Sequence, residues 1–419
     1  MDILADLDAR GLIHDTTDRA ELATLLAEPA GLYHGIDPTA DSLHAGNFVG
    51  VLALRRFQDA GHRPVALVGG ATGMVGDPSG RSDERSLLDD DTLAANIAAI
   101  RGQLERFLDF GPGGARLVDN RAWTEPIGVL DFLRDVGKHV TVNQMLAKES
   151  VRNRLDSESG ISFTEFSYML LQAFDFWWLF EHEGVRLQIG GSDQWGNITA
   201  GIDLIRRRHG GVAHGLTWPL VTRSDGQKFG KSSGADVWLS AERTSPYRFF
   251  QYWMQIDDRD VARFLRQLTL LDLAEIDDVM ARHESAPQAR DGQRRLAQEL
   301  TELVHGPEAA RGAAEASAVL FGSDPTATSA AGFAALAAEI PTSTIADLGA
   351  TSLLDVLSST DLVTSRGDAR RAVAEGGIYV NGERVTDPHA AVGADRLLAG
   401  GHLLVRRGRR RWHLIQAVG

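Results

Sequence analysis

"AGLYHGIDPTADSLHAGNFVGVLALRRFQ", residues 30–58, reads as strand, turn and helix in immediate succession. The apolar run 30–36 has strand character, Asp37-Pro38 is a turn signal, and a helical period runs over 47–60. Further strand-like runs follow at "RPVALVGG" (63–70), "ARLVDN" (115–120) and "VRLQIGG" (185–191), separated by helical patterns such as 91–108 and 193–208. Strands alternating with helices over about 200 residues predict an α/β domain with a largely parallel sheet. Ligands of such sheets sit beyond the carboxyl ends of the strands. Polar, glycine-rich segments follow several of these runs, and His44, Gly46 and Asn47 lie in one of them.

A chain of 419 residues exceeds one core and predicts two or three domains. Its 43% hydrophobic and 24% charged residues are ordinary for a globular protein. No apolar run reaches the roughly 18 residues of a membrane span, and the acidic start "MDILADLDARGLIHD" lacks a secretory layout. The absence of cysteine excludes disulfides, thiolate metal sites and cysteine nucleophiles. These features fit a cytoplasmic protein with no membrane partner.

A net charge of −14 argues against a generic nucleic-acid binder. The charge is uneven: residues 351–419 carry ten Arg, no Lys and seven Asp or Glu, a balance of +3 that leaves −17 for the other 350. From about Pro246 to Phe321 the pattern is helical, as in "RRLAQELTELVHG". Residues 322–350, rich in Ala, Ser, Thr and Gly, read as a linker with at most a short helix or two. The expected segments are therefore a domain at 1–235, a helical domain at 236–321, the linker at 322–350 and a small module at 351–419.

Two glycine-rich stretches carry possible chemistry. "VGGATGMVGDPSGRSDER" (68–85) has neither the P-loop ending nor the G-x-G-x-x-G spacing. Alone it reads more readily as a flexible loop than as a site, though Asp77 suits an ammonium group and Arg81 and Arg85 suit phosphates. "SDGQKFGKSSG" (224–234) is a solvated turn or a pair of ammonium groups, Lys228 and Lys231, placed to neutralise a polyphosphate. Tyr168, Gln172 and Asp175 fall at i, i+4 and i+7, one face of a helix. An unpaired Asp175 buried among "FDFWW" would be costly, and a ligand hydroxyl would relieve that cost.

Taken together, His-x-Gly-Asn and Lys-Phe-Gly-Lys-Ser resemble the paired signatures of class I aminoacyl-tRNA synthetases. "YHGIDPTADSLHAGN", "GGATGMVGDPSG", "SYMLLQAFDF", "QIGGSDQWGNITAG" and "KFGKS" stand in the order seen in bacterial tyrosyl-tRNA synthetases, and on them the chain is identified as a member of that family. The resemblance implies a Rossmann-like catalytic domain, a helical domain and a small α+β RNA-binding domain. It further implies a homodimer with an interface around 125–165, including Phe163. The substrates it implies are L-tyrosine, ATP with Mg²⁺ and a cognate tRNA, with no tightly held protein metal. A carboxylate attacking the α-phosphorus is already ionised at pH 7, so the protein's work is positioning and charge stabilisation.

By the same resemblance, Thr39, His44, Asn47, Lys228, Lys231, Arg81 and Arg85 serve the transferring and leaving phosphates. Asp37, His44, Gly46, Asn47, Gly191, Asp193 and Lys231 form the ATP site. Tyr33 and Asp175 meet the phenol, while Tyr168, Gln172, Asp77 and Gln194 hold the rest of the tyrosine. A cap at Ser192 or Asp193 is an alternative use of that turn. Asn47 stands where the family often has a second histidine, and Arg81 replaces a common lysine. His34 and Gly50 also differ from some relatives near the ribose. Arg366, Arg370 and Arg371, on a helix before an Asn381-Gly382 hairpin, resemble tRNA-contacting residues. "RRGRRRW" (406–412) reads as a further basic stretch or a charged edge strand. Arg206, Arg207 and the 148–155 segment are candidates for the acceptor stem. The competing readings are a related nucleotidyltransferase that activates another acid and a non-catalytic RNA-binding relative.

Overall fold

The computed structural model describes residues 2–79, 88–155, 160–224, 231–232, 235–346 and 352–417. Its contacts divide the chain into two compact units, Met1–Leu239 with Arg259–Ala281, and Ser240–Asp258 with Arg282–Gly419. Residues 259–281 thus join the first unit and not a separate helical domain. Arg10 and Gln267 supply one reason: Arg10 Nη2 donates to Leu271 O at 2.9 Å, and Gln267 Nε2 donates to Gly11 O at 3.0 Å. These bonds satisfy carbonyls that burial would otherwise leave unpaired.

The first unit is built on a six-stranded sheet of β1 (Asp15–Thr16), β2 (Gly31–Ile36), β3 (Arg63–Val68), β4 (Arg116–Asp119), β5 (Val185–Gly191) and β6 (His214–Trp218), in the order β1-β6-β5-β2-β3-β4. All pairs are parallel except β1 with β6. The expected strands at 30–36, 63–70, 115–120 and 185–191 are present. β1 and β6 did not stand out in the sequence. The chain leaves β2 toward β3 on one side and returns to β5 on the other, so β2 and β5 flank a topological switch point.

Helices cover the sheet: α1 (Phe48–Asp59), α2 (Asp90–Leu104), α3 (Phe163–Glu183) and α4 (Trp195–His209). On α1, Phe48, Val51, Leu52, Leu54 and Phe57 are buried, each contributing about 1.5–3 kcal/mol relative to exposure. Truncating Phe57 to Ala would cost about 3–5 kcal/mol. α3 starts where Ser162 Oγ accepts from Glu165 N and stops at Gly184, whose φ of 66° is the left-handed conformation that ends helices. Its apolar face joins α4 and the sheet through Phe174, Phe176, Leu179, Leu204 and Ile205. Short strands β7 (Lys231–Ser232) and β8 (Ala235–Asp236) pair antiparallel.

The second unit contains α5 (Pro246–Met254), α6 (Asp291–His305), α7 (Pro307–Leu320), α8 (Ala330–Ala337), α9 (Leu353–Ser358) and α10 (Arg366–Ala374). Its sheet of β9 (Thr342–Ile345), β10 (Ile378–Val380), β11 (Glu383–Val385), β12 (His402–Arg407) and β13 (Arg411–Ala417) has the order β11-β10-β12-β13-β9. The stretch expected as a linker therefore supplies a helix and a strand: β9 pairs parallel with β13, and Phe333 and Leu336 of α8 pack on Leu404 and Leu414. For that reason 411–417 is no edge strand, contrary to the expectation for 406–412. Asn381 and Gly382, with φ of 50° and 85°, form the expected hairpin turn. Among the described residues no helix is long and apolar enough to cross a membrane.

Candidate active site

A cavity of about 780 Å³ opens beyond the carboxyl ends of β2 and β5. From β2 and the turn after it come Tyr33, Asp37, Thr39, His44, Gly46 and Asn47. Asp77 enters after β3, Tyr168, Gln172 and Asp175 from α3, and Gly191, Asp193 and Gln194 after β5. The three α3 residues share one face, as their spacing requires. Arg81, Arg85 and Lys228 lie outside the described residues. Lys231 is described only by its backbone, in β7.

Tyr33 and Asp175 are both buried, at 1% and 2% exposure, at the floor of the cavity. The Tyr33 hydroxyl has no hydrogen-bond partner among the described residues. Burial, and then the nearby Asp175, holds its pKa well above the ordinary range, so it stays a phenol. Asp175 is not unpaired, contrary to the premise drawn from its apolar neighbours. Trp123 Nε1 donates to Oδ1 at 2.8 Å and Asn120 Nδ2 donates to Oδ2 at 2.9 Å. Burial still pushes its carboxyl up to about 7, against the lowering effect of those two donors. Asn120 and Trp123 follow β4, and no spacing in the sequence linked them to α3.

Asn120 extends this contact into a chain. Its Nδ2 donates to Thr72 Oγ1 at 3.0 Å, and Thr72 Oγ1 donates to Asp37 Oδ1 at 2.8 Å. Tyr168 donates to the other Asp37 oxygen at 2.9 Å. Asp37 thus ties the β2 turn to α3, a role beyond the nucleotide one implied by resemblance. A second chain runs along the wall: Gln194 Nε2 donates to Asp77 Oδ2 at 2.7 Å, Gln172 Nε2 to Gln194 Oε1 at 3.3 Å, and Asn197 Nδ2 to Gln172 Oε1 at 3.0 Å. Asn197, one turn into α4, is another residue the sequence did not single out. Asp193 is held above the usual carboxylate range by burial and then by Asp77.

The turn that carries His44 pairs through the backbone with residues that follow the second signature in the chain. Ala45 N donates to Val237 O and Leu239 N donates to Leu43 O, both at 2.8 Å. The strand segment that follows Lys231 is thereby fixed beside His44. His44 Nδ1 accepts from Gly46 N at 3.0 Å, and Asn47 Oδ1 accepts from His44 N at 3.2 Å. The Asn47 side chain closes its own turn, which then leads into α1. At the turn Ser192–Gln194 the capping positions fall on Gly191 and Gln194, and neither makes a side-chain cap. A Cβ at Gly191 would stand 2.6 Å from Asp193 Oδ1 and 3.1 Å from Leu220 Cδ2, so those side chains would have to shift.

The tRNA candidates lie elsewhere. Arg206 pairs with Asp203 at 3.0 Å and Arg207 donates to His139 O. Arg154 is 2% exposed and bound to Glu165 at 2.8 Å, which removes it from the surface. Arg366 (paired with Asp355), Arg370 and Arg371 are exposed on α10. In the 125–165 region Val129, Leu130, Val142 and Phe163 are exposed, Phe163 by 79%. Among the described residues no group of three His, Asp or Glu is arranged to hold a metal.

The family described as tRNA synthetases class I (W and Y) matches residues 26–322, and a tyrosine–tRNA ligase C-terminal domain family matches residues 332–415. A tyrosine–tRNA ligase of Opitutus terrae is 52% identical over 426 residues, covering 100% of both chains. One from Bacillus caldotenax is 51% identical, covering 99% of this chain and 100% of its own. Among solved structures, a C-terminally truncated mitochondrial tyrosyl-tRNA synthetase of Aspergillus nidulans superimposes with a TM-score of 0.69 at 31% identity, covering 76% of this chain and 94% of that one.

Proposed function

Because the chain belongs to the class I tRNA synthetases of the tryptophan and tyrosine family, we infer that it is a tyrosine–tRNA ligase. It joins L-tyrosine to ATP, releasing pyrophosphate, and then passes the tyrosyl group to the 3′ end of its tRNA. The observation that carries the tyrosine reading is the buried Tyr33 hydroxyl, without a partner among the described residues, beside the Asp175 carboxylate. A substrate phenol donates to Asp175 and accepts from Tyr33. Tryptophan, with an N–H donor and no acceptor, would leave Tyr33 unsatisfied.

In this reading Tyr168, Gln172 and Asp77 receive the α-amino group, with Gln194 positioned by Asp77. The tyrosine carboxylate attacks the α-phosphorus and the bond to the β-phosphate oxygen breaks. His44 and Thr39 hydrogen-bond the charge that develops on the phosphates. Arg81, Arg85, Lys228 and Lys231 neutralise the leaving pyrophosphate. Asp37, Gly46, Asn47, Gly191 and Asp193 line the nucleotide side. Mg²⁺ enters as the counter-ion of ATP, whose phosphates hold it without a dedicated protein cage.

The exposed apolar surface at Val129, Leu130, Val142 and Phe163 supports a homodimer. The exposed arginines of α10 support tRNA phosphate contacts. We assign the protein to the cytoplasm, where its three substrates meet. The test is exchange of labelled pyrophosphate into ATP with tyrosine, phenylalanine and tryptophan in turn, without tRNA. Exchange with tyrosine alone is expected. Exchange with tryptophan alone would overturn the substrate, and no exchange from folded protein would overturn the enzyme.

A further inference from the structure

The polar wall between α3 and the turn after β5 is a chain of hydrogen bonds with a single direction. Asp77 stands at its accepting end. Its Oδ1 accepts from Ser79 N at 2.9 Å and its Oδ2 from Gln194 Nε2 at 2.7 Å. A carboxylate only accepts, so Gln194 turns its nitrogen to Asp77 and its oxygen away. That oxygen takes Gln172 Nε2 at 3.3 Å, which leaves Gln172 Oε1 to accept in its turn.

Asn197 stands at the donating end. Its Nδ2 donates to Gln172 Oε1 at 3.0 Å and to Gln194 Oε1 at 3.3 Å. The two amide hydrogens thus meet two oxygens brought from separate elements, α3 and the turn after β5. Asn197 is 5% exposed, sits in the first turn of α4 and does not line the cavity. Asparagine is a mediocre helix former, so these bonds give position 197 a use for it that the helix does not. A Gln172 amide turned over would set its oxygen against Gln194 Oε1 and its nitrogen against Asn197 Nδ2. Both contacts would be like against like, which leaves Gln172 a single orientation.

We propose that Asn197 is a positioning residue for the α-ammonium group of the amino acid, fixing through Gln172 and Gln194 which amide atoms face the substrate. This rests on the tyrosine-activating reading of the cavity. An ammonium group carries donors and no acceptor, so the wall that receives it must present oxygens. Gln172 Oε1 has two lone pairs, one for Asn197 and one for the substrate. Asp77 adds its carboxylate, held by Gln194. A Gln172 amide turned over would offer the ammonium an N–H, donor against donor. Asn197 does not touch the substrate in this arrangement; it acts on the side chains that do.

The test is calorimetric titration of wild type, Asn197→Ala, Asn197→Leu and Asn197→Gln with three ligands that separate the parts of tyrosine. L-Tyrosine carries both charged groups, tyramine keeps only the ammonium, and desamino-tyrosine keeps only the carboxylate. Asn197→Ala should weaken tyrosine and tyramine about tenfold, the size of one lost hydrogen bond. Desamino-tyrosine should stay within about twofold, since it has no group for the amides to receive. Asn197→Leu keeps the volume and removes the donors, so it should lose as much. Asn197→Gln keeps an amide and should recover part of the loss. In pyrophosphate exchange the KM for tyrosine should rise about tenfold while the KM for ATP stays within about twofold. In a Gln172→Ala background, Asn197→Ala should add less than about twofold.

Equal weakening of all three ligands, in Asn197→Leu as well as Asn197→Ala, would make Asn197 a support of the fold and overturn the proposal. An Asn197→Leu that matches wild type would overturn it too, as would independent effects of Gln172→Ala and Asn197→Ala. If wild type gives no exchange with tyrosine, the ligase reading fails by itself, and the titrations still judge Asn197. Wild type that binds neither tyrosine nor tyramine would overturn both.

Discussion

The two ends of the cavity are built on different principles. At the end proposed for tyrosine, Asp175 is held by Trp123 and Asn120, and Asn120 connects through Thr72 to Asp37 and Tyr168. Every link is a side chain locked by another side chain. At the end proposed for the nucleotide, Gly35, Gly46, Gly50 and Gly191 stand in the wall, beside a short turn closed by Asn47 and the backbone pairing of 43–45 with 237–239. A rigid network suits recognition of one hydroxyl, because an analogue without it leaves buried groups unpaired. Exposed backbone suits a ligand held by shape and by charges that change during reaction.

That contrast can be broken most sharply at Asp175. Asp175→Ala removes a charged acceptor and strands two donors, so tyrosine-dependent kcat/KM should fall about 10³-fold, roughly 4 kcal/mol. A loss below tenfold would show that the network does not read the phenol. Asp175→Asn gives a second readout through stability. The folded carboxyl titrates near 7 and the unfolded one near its usual value, so between about pH 4 and 7 the native state binds the extra proton. Wild-type stability then falls as pH rises through that window and levels off above it. The melting-temperature difference should move in favour of Asp175→Asn from pH 4 to 7, and a flat difference would contradict the shift.

Trp123→Phe keeps the aromatic stack on Trp178, 4.2 Å away, and deletes only the N–H that Asp175 accepts. The KM for tyrosine should rise about tenfold, with a smaller effect on the KM for ATP. Equal changes in both constants would dissolve the distinction between the two ends.

Tyr33→Phe should raise the KM for tyrosine about fivefold. The hydroxyl has no partner among the described residues, so the melting temperature without ligand should not fall. A destabilised Tyr33→Phe would assign the hydroxyl to the fold and not to the substrate.

The smallest effect is expected at Asn47. Its Oδ1 closes the His44 turn, so Asn47→Ala should cost about 0.5–1 kcal/mol of stability and change the KM for ATP by a few-fold at most. A hundredfold loss of exchange would instead make Asn47 a direct phosphate ligand.

The sequence by itself determined the elements whose signals are local. The four parallel strands, the helix face carrying Tyr168, Gln172 and Asp175, and the Asn381-Gly382 hairpin follow from periodicities of two and 3.6 and from turn chemistry within a few residues. The resemblance carried by the ordered motifs, rather than any periodicity, named most of the polar residues that line the cavity. Only the tertiary structure decided who partners whom. Asn120 and Trp123 reach Asp175 across 55 and 52 residues, and β9 emerges from an Ala- and Ser-rich stretch because β13 offers it an edge. Arg154 turns inward because Glu165 satisfies it there. His34 and Gly50, 16 residues apart, lie together because two elements bring a ring against a missing side chain. Such choices depend on burial and on donors far along the chain, and these exist only once the sheet and helices have closed around them.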